Sequence, residues 1–394
     1  MHVAIVAPEF PPEIGGMQTY ALEFAKELVA RGHRVTVLTR RRAEPPAQLA
    51  GMAVLGVLVG RAGPDLKQFR ALRADAWQVM NAAYAWVALH FTPTVVAVHG
   101  NDFLHPYIPV GALDLSGVPG LWRVAGLRAR VEHGTGAWRT PRLMRAGLRC
   151  ATQVLTNSRY TEQVFLARFP ECAGRTRAAM VGVSADYLQP HNGHERHAVA
   201  QLVTVCRLAE RRKNVDLVLR ALARLKDDFA FHYTVVGDGP LRAELEALAQ
   251  QLGLGDRVTF TGFLSIERLR SALGESDLFV LVSAINPGSH EGFGIAYLEA
   301  NACGTPTLAA RLAGAAEAVH NGVSGYFTAG LGVEQVAAAL QPFLARKVVF
   351  DPQACRGFAR GFTWARVVDH AVPWYGPMAL APAPAGAAPQ AGKA

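Results

Sequence analysis

Apolar runs alternate with amphipathic segments from the start of the chain. Residues 3–7 are continuously apolar, residues 19–31 carry apolar side chains at helical spacing, and residues 34–39 consist of Arg34 followed by apolar or β-branched residues. This pattern predicts a strand, a helix that ends at Gly32, and a second strand. Strand, helix and strand in this order predict a βαβ unit with a parallel sheet, so the expected fold class is α/β.

The same alternation resumes in the second half of the chain. Apolar strand-like runs lie at residues 201–206, 233–236, 258–264 and 277–282, with helical segments between them. A chain of 394 residues exceeds what one hydrophobic core usually organises, so we expect two domains. The last residues, 378–394, are rich in Pro, Ala and Gly and predict a flexible tail.

The amino-acid composition indicates a globular protein from a reducing environment. Hydrophobic residues make up 51% of the chain, which provides ample core material. The five cysteines are odd in number and form no C-x-x-C pair, so we expect a reducing, cytoplasmic environment and no zinc site.

The start of the chain does not have the pattern of a signal peptide. The apolar stretch 76–98 is divided by Pro93 and predicts a buried helix and a strand, Thr94–Val98, better than a membrane span.

The net charge of +9 is concentrated in the first half, where residues 1–185 carry 21 Lys and Arg against 12 Asp and Glu. Its densest part is residues 122–149, where seven arginines alternate with apolar residues that include Trp122 and Trp138. Two interpretations stay open: a surface for anionic lipid heads or a phosphate-bearing acceptor at a membrane, and ordinary helices with arginine on the solvent face. No base-reading motif accompanies the charge, so nucleic acid is not an expected partner.

The stretch from residue 283 to 304, SAINPGSHEGFGIAYLEANACG, directly follows the strand predicted at 277–282. Gly292 and Gly294 flank Phe293 and let the backbone turn sharply into a helix that begins near Phe293 and includes Ile295. The free amides of a first helical turn and the positive end of the helix dipole favour an anion. This turn is therefore a candidate phosphate site.

Two glutamates frame that turn, Glu291 before the helix and Glu299 within it. Because carboxylates repel phosphate, a phosphorylated ligand must offer them hydroxyl groups. A sugar and a ribose joined through a diphosphate meet both demands. The alternative is that both are solvated surface charges.

Glu291 and Glu299, within HEGFGIAYLEA, resemble the glutamate-seven-residues-glutamate signature of retaining glycosyltransferases, most closely glycosyltransferase family 4. The opening run GGMQTYALEFAKELVARGHRVTVLT resembles the start of the same family. The resemblance implies the GT-B fold, in which two Rossmann-like domains face each other across a cleft that binds a nucleotide-sugar. It also implies domains at 1–185 and 186–363, with a terminal helix at 364–377 that crosses back to the first domain.

The resemblance further implies roles around the central turn. Gly15 and Gly16 would approach the donor diphosphate from the first domain. Glu291 would position the donor sugar and Glu299 the ribose hydroxyls, while residues 292–295 contact the donor. Gly262 and Phe263 lie where family members hold the nucleobase through backbone groups and an apolar wall. The resemblance therefore implies that both residues contact the donor.

Arg207 and Lys213 match the family's arginine and lysine that clasp the donor phosphates, although Arg211 and Arg212 beside them leave the individual roles open. Two cations fixed at a strand tip stabilise the charge that develops on a departing diphosphate. No Asp-x-Asp sequence occurs that would hold a divalent metal against the diphosphate. We therefore expect activity without a metal, and no cofactor.

Three polar residues at strand ends of the first domain complete the candidate site. His99 and Asp102 follow a strand and are positioned to bind sugar hydroxyls, and family members commonly carry a histidine here. Ser158 is a further candidate for an acceptor or sugar contact, although capping of the following helix is its more common role.

The resemblance thus predicts a retaining hexosyltransferase that uses a UDP- or GDP-linked sugar and a glycan, lipid-linked or small-molecule acceptor, and the missing Asp-x-Asp predicts that it is metal-independent. The basic first domain favours a role in cell-envelope polysaccharide or glycolipid synthesis. Neither glutamate is expected to act as a covalent nucleophile, unlike the carboxylate pair of retaining hydrolases. Two alternatives are a sugar-nucleotide epimerase or phosphorylase of the same fold, and a nucleotide-sugar-binding scaffold without turnover.

Overall fold

A computed structural model describes residues 1–41, 48–115, 118, 124–189 and 198–376. Its first sheet has eight strands, and neighbouring strands are parallel except for the antiparallel pair at one edge. They are β1 His2–Val6, β2 Arg34–Arg40, β3 Gln48–Leu49, β4 Met52–Leu58, β5 Ala76–Val79, β6 Thr94–Val98, β7 Gln153–Thr156 and β8 Thr176–Ala178. Their order is β3-β4-β2-β1-β5-β6-β7-β8, so β1 lies in the middle.

The second sheet has six strands, and all of its paired strands run parallel. They are β9 Ala200–Val205, β10 Phe231–Val236, β11 Val258–Gly262, β12 Leu278–Leu281, β13 Thr307–Ala310 and β14 Gly325–Thr328. Their order is β11-β10-β9-β12-β13-β14. Two parallel sheets with intervening helices confirm the predicted α/β class. The predicted boundary between residues 185 and 186 falls between the two sheets and stays a prediction.

Helices follow most strands, as parallel connections require. They are α1 Gly16–Ala30, α2 Ala62–Arg70, α3 Asn101–Leu104, α4 Ala125–Cys150, α5 Arg159–Arg168, α6 Val215–Ala223, α7 Arg242–Gln251, α8 Ile266–Gly274, α9 Ile295–Ala302, α10 Ala315–Ala318, α11 Val333–Leu344, α12 Pro352–Arg360 and α13 Trp364–Asp369. Within the described ranges, none is long and apolar enough to cross a membrane. The stretch 76–98 forms β5, a buried 3-10 helix Ala82–Leu89, and β6.

Several strand boundaries shift by one or two residues from the sequence expectation, and three helices differ as follows. α1 begins three residues earlier than predicted, at Gly16. α9 begins at Ile295, because Gly294 adopts a left-handed conformation with φ of 89° and interrupts the helical geometry. The terminal helix ends at Asp369 and is followed by a short 3-10 turn, while residue 377 and the predicted tail 378–394 lie outside the described residues.

The buried side chains form three clusters, and one of them spans both sheets. This shared cluster includes Phe24 of α1, Tyr297 of α9 and Trp364 of α13. Polar contacts reinforce it: Arg31 Nη1 lies 2.8 Å from Asp369 Oδ1 at the end of α13. The helices near the chain end therefore pack against the first helix, and the carboxyl ends of the two sheets meet on either side of a cleft.

Candidate active site

The loop that carries Glu291 packs directly against the strand ends of the first sheet. Gly288 contacts His105, and His290 Nε2 lies 2.8 Å from the position that a Cβ on Gly100 would take. The ring of His290 meets the ring of Tyr160 edge-on at 5.1 Å. The two sheets thus approach each other at the residues that the sequence singles out.

Glu291 is held by two cations and a hydroxyl. Its Oε2 accepts hydrogen bonds from Lys213 Nζ at 2.6 Å, Ser283 Oγ at 3.1 Å and Arg212 Nη1 at 3.3 Å. Burial alone would raise the pKa of Glu291, but the charges of Lys213 and Arg212 and the hydrogen bonds outweigh it and lower the pKa to about 2. The group is therefore a fixed carboxylate with weak basicity.

The basic run after β9 separates into different environments because residues 211–213 form a 3-10 turn. Arg211 points outward and makes a bidentate ion pair with Glu244 at 2.6 and 2.7 Å. Arg212 is buried and also binds Glu210 at 2.7 Å and Ser289 at 2.9 Å. Sequence reasoning missed the role of Arg212, because three adjacent basic residues give no indication of which one turns inward.

Arg207 remains available for a ligand. Its side chain is exposed and makes no hydrogen bond or ion pair within the described part of the chain. Its Nη2 lies 3.7 Å from the position that a Cβ on Gly15 would take, directly before α1. Gly16 has open space at the equivalent position. An unpaired guanidinium from the second sheet and a helix start from the first therefore converge, as an anion site requires.

The Gly-rich turn before α9 is sterically closed. A Cβ on Gly292 would meet the Asn157 amide and lie 2.8 Å from the His99 carbonyl oxygen. Phe293 is buried and packs edge-on against Phe362 at 5.6 Å, so its side chain belongs to the core and only its backbone remains for a ligand. Ile295, the first residue of α9, is half-buried.

Glu299 has the opposite electrostatic environment to Glu291. Burial is the main cause that raises the pKa of Glu299 to about 7, with a smaller contribution from the charge of Glu23 on α1, while a hydrogen bond with Tyr187 lowers it. Two carboxylates eight positions apart are thus tuned to different protonation states. Such separation is typical of sites in which the two groups do different work.

The strand end after β6 is organised by Asp102. Its Oδ1 accepts the His99 amide and its Oδ2 accepts the Ala82 amide, each at 2.8 Å, and the side chain is fully buried. Direct contact between Asp102 and a sugar stays a prediction, and this geometry favours a positioning role. His99 differs, because its Nε2 is buried without a partner in the described ranges, and burial lowers the pKa of the ring. A neutral imidazole with an unpaired nitrogen is suited to bind a hydroxyl.

Ser158 is the N-cap of α5, where its Oγ accepts the Thr161 amide at 2.9 Å. Glu317 of α10 accepts the first two amides of the same helix, from Arg159 at 3.0 Å and Tyr160 at 2.8 Å. The hydroxyl of Ser158 is thus engaged in capping, and a sugar contact by Ser158 stays a prediction. The contribution of Glu317 across the cleft could not be read from its sequence position.

The predicted nucleobase site follows β11. Gly262 has φ of 71°, and its carbonyl oxygen accepts the Gly237 amide at 2.9 Å. Phe263 is 56% exposed, which is unusual for a large apolar side chain and suits a wall for a planar ligand. The roles of both residues stay predictions.

Among the described residues, three of the buried polar atoms that have no hydrogen-bond partner belong to residues that follow β6 and β7. They are His99 Nε2, Asn101 Oδ1 and Asn157 Oδ1. Such atoms are rare in folded proteins and indicate groups that a ligand or solvent satisfies. Across the residues that the structure describes, no cluster of three or more His, Cys, Asp and Glu side chains could hold a metal ion.

Comparison with known proteins covers most of the chain. Residues 14–186 match the family described as Glycosyltransferase Family 4, and residues 193–355 match Glycosyl transferases group 1. The sequence is 30% identical to the GDP-mannose-dependent alpha-(1-6)-phosphatidylinositol monomannoside mannosyltransferase of Mycolicibacterium smegmatis, over 92% of this chain and 93% of that protein. It is 29% identical to the D-inositol 3-phosphate glycosyltransferase of Geodermatophilus obscurus, over 92% and 85% of the two chains.

Solved structures show the same fold at lower identity. Sucrose-phosphate synthase from Thermosynechococcus elongatus superposes with a TM-score of 0.67 at 20% identity, over 95% of each chain. The Anabaena protein HepE in complex with UDP gives a TM-score of 0.67 at 17% identity, over 94% of this chain and 98% of that one. These likenesses confirm the predicted arrangement of two facing Rossmann-like domains.

Proposed function

This chain belongs to glycosyltransferase family 4 and has the GT-B fold, and from that premise we propose that it is a retaining hexosyltransferase that uses a UDP- or GDP-linked sugar. The observation that carries the proposal is the position of Arg207, an unpaired cation of the second domain beside Gly15 at the start of α1. A diphosphate between them would receive charge neutralisation from both domains.

The donor is proposed to bind with its diphosphate between Arg207, Lys213 and the first amides of α1. Glu291 then accepts hydrogen bonds from the sugar, and Glu299 from the ribose. Because the pKa of Glu291 is about 2, it is a poor base and a poor nucleophile at neutral pH. This supports a reaction in which no covalent sugar-enzyme bond forms.

In the proposed reaction, the acceptor oxygen bonds to the anomeric carbon on the face from which the phosphate departs. The bond between that carbon and the diphosphate oxygen breaks, and the departing oxygen takes the proton of the acceptor hydroxyl. The products are the glycosylated acceptor and a nucleoside diphosphate. Arg207 and Lys213 stabilise the negative charge that develops on the leaving group, so we propose that turnover needs no metal and no cofactor.

The names of the two relatives given above indicate which acceptors to consider. Their names specify D-inositol 3-phosphate and a phosphatidylinositol mannoside. We therefore propose an acceptor of this kind, a small polyol phosphate or a lipid-linked glycan, in the synthesis of a cell-envelope glycolipid or polysaccharide. The reaction is proposed to take place in the cytoplasm, at the inner face of the membrane.

The surface of α4 supports contact with that membrane. Trp138 is 60% exposed and Leu127 is 39% exposed. The guanidinium of Arg142 lies 4.2 Å from the centre of the Trp138 ring. Exposed apolar groups beside arginine are typical of surfaces that bind anionic lipid heads. Trp122 and Arg123, at the start of the basic segment 122–149, lie outside the described residues.

The test is a transfer assay with purified protein, EDTA, a panel of UDP- and GDP-sugars, and D-inositol 3-phosphate or a phosphatidylinositol mannoside as acceptor. We expect nucleotide release that depends on the acceptor, and a product whose anomeric configuration, read by NMR, matches that of the donor. Isomerised donor without acceptor would indicate an epimerase, and phosphate-dependent cleavage a phosphorylase. Nucleotide binding without transfer to any acceptor would indicate a scaffold.

A further inference from the structure

A second polar cluster lies at the carboxyl edge of the first sheet and has no part in the donor site. Glu9 follows β1, Asn81 follows β5, and Tyr107 follows α3. The Tyr107 hydroxyl donates to Glu9 Oε1 at 2.5 Å and accepts from Asn81 Nδ2 at 2.8 Å. Asn81 is fully buried, and its Oδ1 accepts the Ala83 amide at 2.9 Å. This hydrogen bond fixes the orientation of the Asn81 side chain and therefore of the Tyr107 hydroxyl that it contacts.

This cluster faces the second domain. The Tyr107 hydroxyl lies 3.7 Å from Met17 Sδ in the first turn of α1, and Arg207 Nη2 approaches the residue before that helix, 3.7 Å from the Cβ position of Gly15. Arg207 is the cation that the proposed function assigns to the donor diphosphate. Glu9 is half-buried and Tyr107 is 47% exposed, so a ligand in the cleft can reach both. A group bound at Glu9 would therefore lie near the start of α1, on the side of the cleft that Arg207 approaches.

The hydrogen-bonding positions that remain free on Glu9 and Tyr107 indicate which kind of ligand can bind there. Tyr107 donates its only proton to Glu9, and Glu9 Oε2 has no partner in the part of the chain that the structure describes. The free positions are therefore acceptor lone pairs, which need a donor from the ligand. A phosphate or carboxylate carries negative charge at neutral pH and is repelled by Glu9, whereas a hydroxyl is neutral and can donate a hydrogen bond to the site.

We propose that Glu9, oriented by Tyr107 and Asn81, binds hydroxyl groups of the acceptor and selects a neutral sugar or cyclitol ring at this position. This inference rests on the proposed function, since it uses Arg207 to place the donor. The exposed ring of Tyr107 adds an aromatic face on which the C–H groups of such a ring can pack. Any charged group of the acceptor must then lie away from Glu9.

The test uses two neutral probes, myo-inositol and methyl α-D-mannopyranoside. Their binding to the wild-type protein saturated with UDP or GDP is followed by saturation-transfer difference NMR, and nucleotide affinity is measured by calorimetry on the same sample. We expect at least one probe to bind. Glu9→Gln should lower the affinity for that probe at least tenfold, because the carboxylate loses its charge. Tyr107→Phe should lower it at least threefold, because the carboxylate loses the hydrogen bond that orients it.

Nucleotide affinity separates this role from a structural one. Glu9→Gln keeps an acceptor for the Tyr107 hydroxyl and removes a negative charge near Arg207, so UDP or GDP should bind as tightly as before or more tightly. Glu334→Gln, which removes an exposed carboxylate paired with Arg224 at 3.0 Å, is the matched control and should change neither affinity.

Two results would overturn the inference alone: neither probe binds the wild-type nucleotide complex, or Glu9→Gln and Tyr107→Phe bind the probe as well as the wild type does. Weaker binding of the nucleotide in Glu9→Gln, in parallel with the probe, would also overturn it, since the change would then act on the donor site or the fold. If the wild-type protein binds neither UDP nor GDP, the proposed function fails and this inference with it.

Discussion

Lys213 Nζ lies 2.6 Å from Glu291 Oε2, so a cation assigned to the donor phosphates and the carboxylate assigned to the donor sugar form one ion pair. Each side chain is largely buried, with 14% and 12% of its surface exposed. If a donor diphosphate binds Lys213, it shares that cation with Glu291, whereas Arg207 has no partner to give up among the residues that the structure describes. The two cations are therefore not equivalent.

Glu291→Gln should reduce the transfer rate by about 100-fold or more, the usual cost of removing a preorganised electrostatic contact in an active site. The change also leaves Lys213 and Arg212 facing a neutral amide. The measurement is steady-state transfer at saturating donor, with Glu334→Gln as a control that keeps wild-type activity. Full turnover by Glu291→Gln would remove Glu291 from the mechanism.

Arg207→Ala should weaken UDP or GDP binding at least tenfold, because the unpaired guanidinium is exposed beside Gly15. Arg211→Ala is the matched control, since Arg211 carries the same charge four positions away but is paired with Glu244 on the surface. Calorimetry on both variants gives the comparison. Equal losses would mean that the net charge of the segment, and not the position of Arg207, determines affinity.

Deprotonation of buried Glu299 should lower the free energy of unfolding as pH rises. Its pKa is raised from the ordinary 4.5 to about 7 by burial, so the folded protein holds this proton more tightly than the unfolded chain does. The free energy of unfolding then decreases between pH 4.5 and 7, by up to about 3 kcal/mol from this group. Denaturant unfolding from pH 5 to 8 should show this slope in the wild type and a smaller one in Glu299→Gln.

Gly292→Ala should impair transfer more than folding of either domain, because the added methyl group would contact the His99 carbonyl oxygen across the cleft at 2.8 Å. We expect at least a tenfold loss of transfer. Gly357→Ala is the control, since nothing lies within 4 Å of its Cβ position on α12. Wild-type transfer by Gly292→Ala would show that the cleft tolerates separation of these loops.

The double variant Trp138→Ser and Arg142→Ser should lower binding to vesicles that contain anionic lipid, because it removes an exposed aromatic ring and the cation above it. The measurement is co-sedimentation with phosphatidylglycerol vesicles at two salt concentrations. Arg224→Ser on the second domain, a pair partner of Glu334, serves as control. No binding of the wild type to these vesicles would contradict a membrane role for α4.

The sequence alone predicted those features that depend on a few neighbouring residues. The Gly292, Phe293 and Gly294 turn, the strand before it and the helix after it follow from residue type and spacing, because glycine conformation and apolar period act over a few residues. The α/β class followed for the same reason.

Which side chains meet across the cleft was decided by tertiary structure alone. The sequence could not separate Arg211, Arg212 and Lys213, because their directions depend on a 3-10 turn and on partners up to 79 positions away. Nor could it show that Phe293 packs in the core or that Glu9 accepts a hydrogen bond from Tyr107. Local pattern sets the backbone of each strand end, but the approach of two sheets determines which charges neutralise each other and which remain for a ligand.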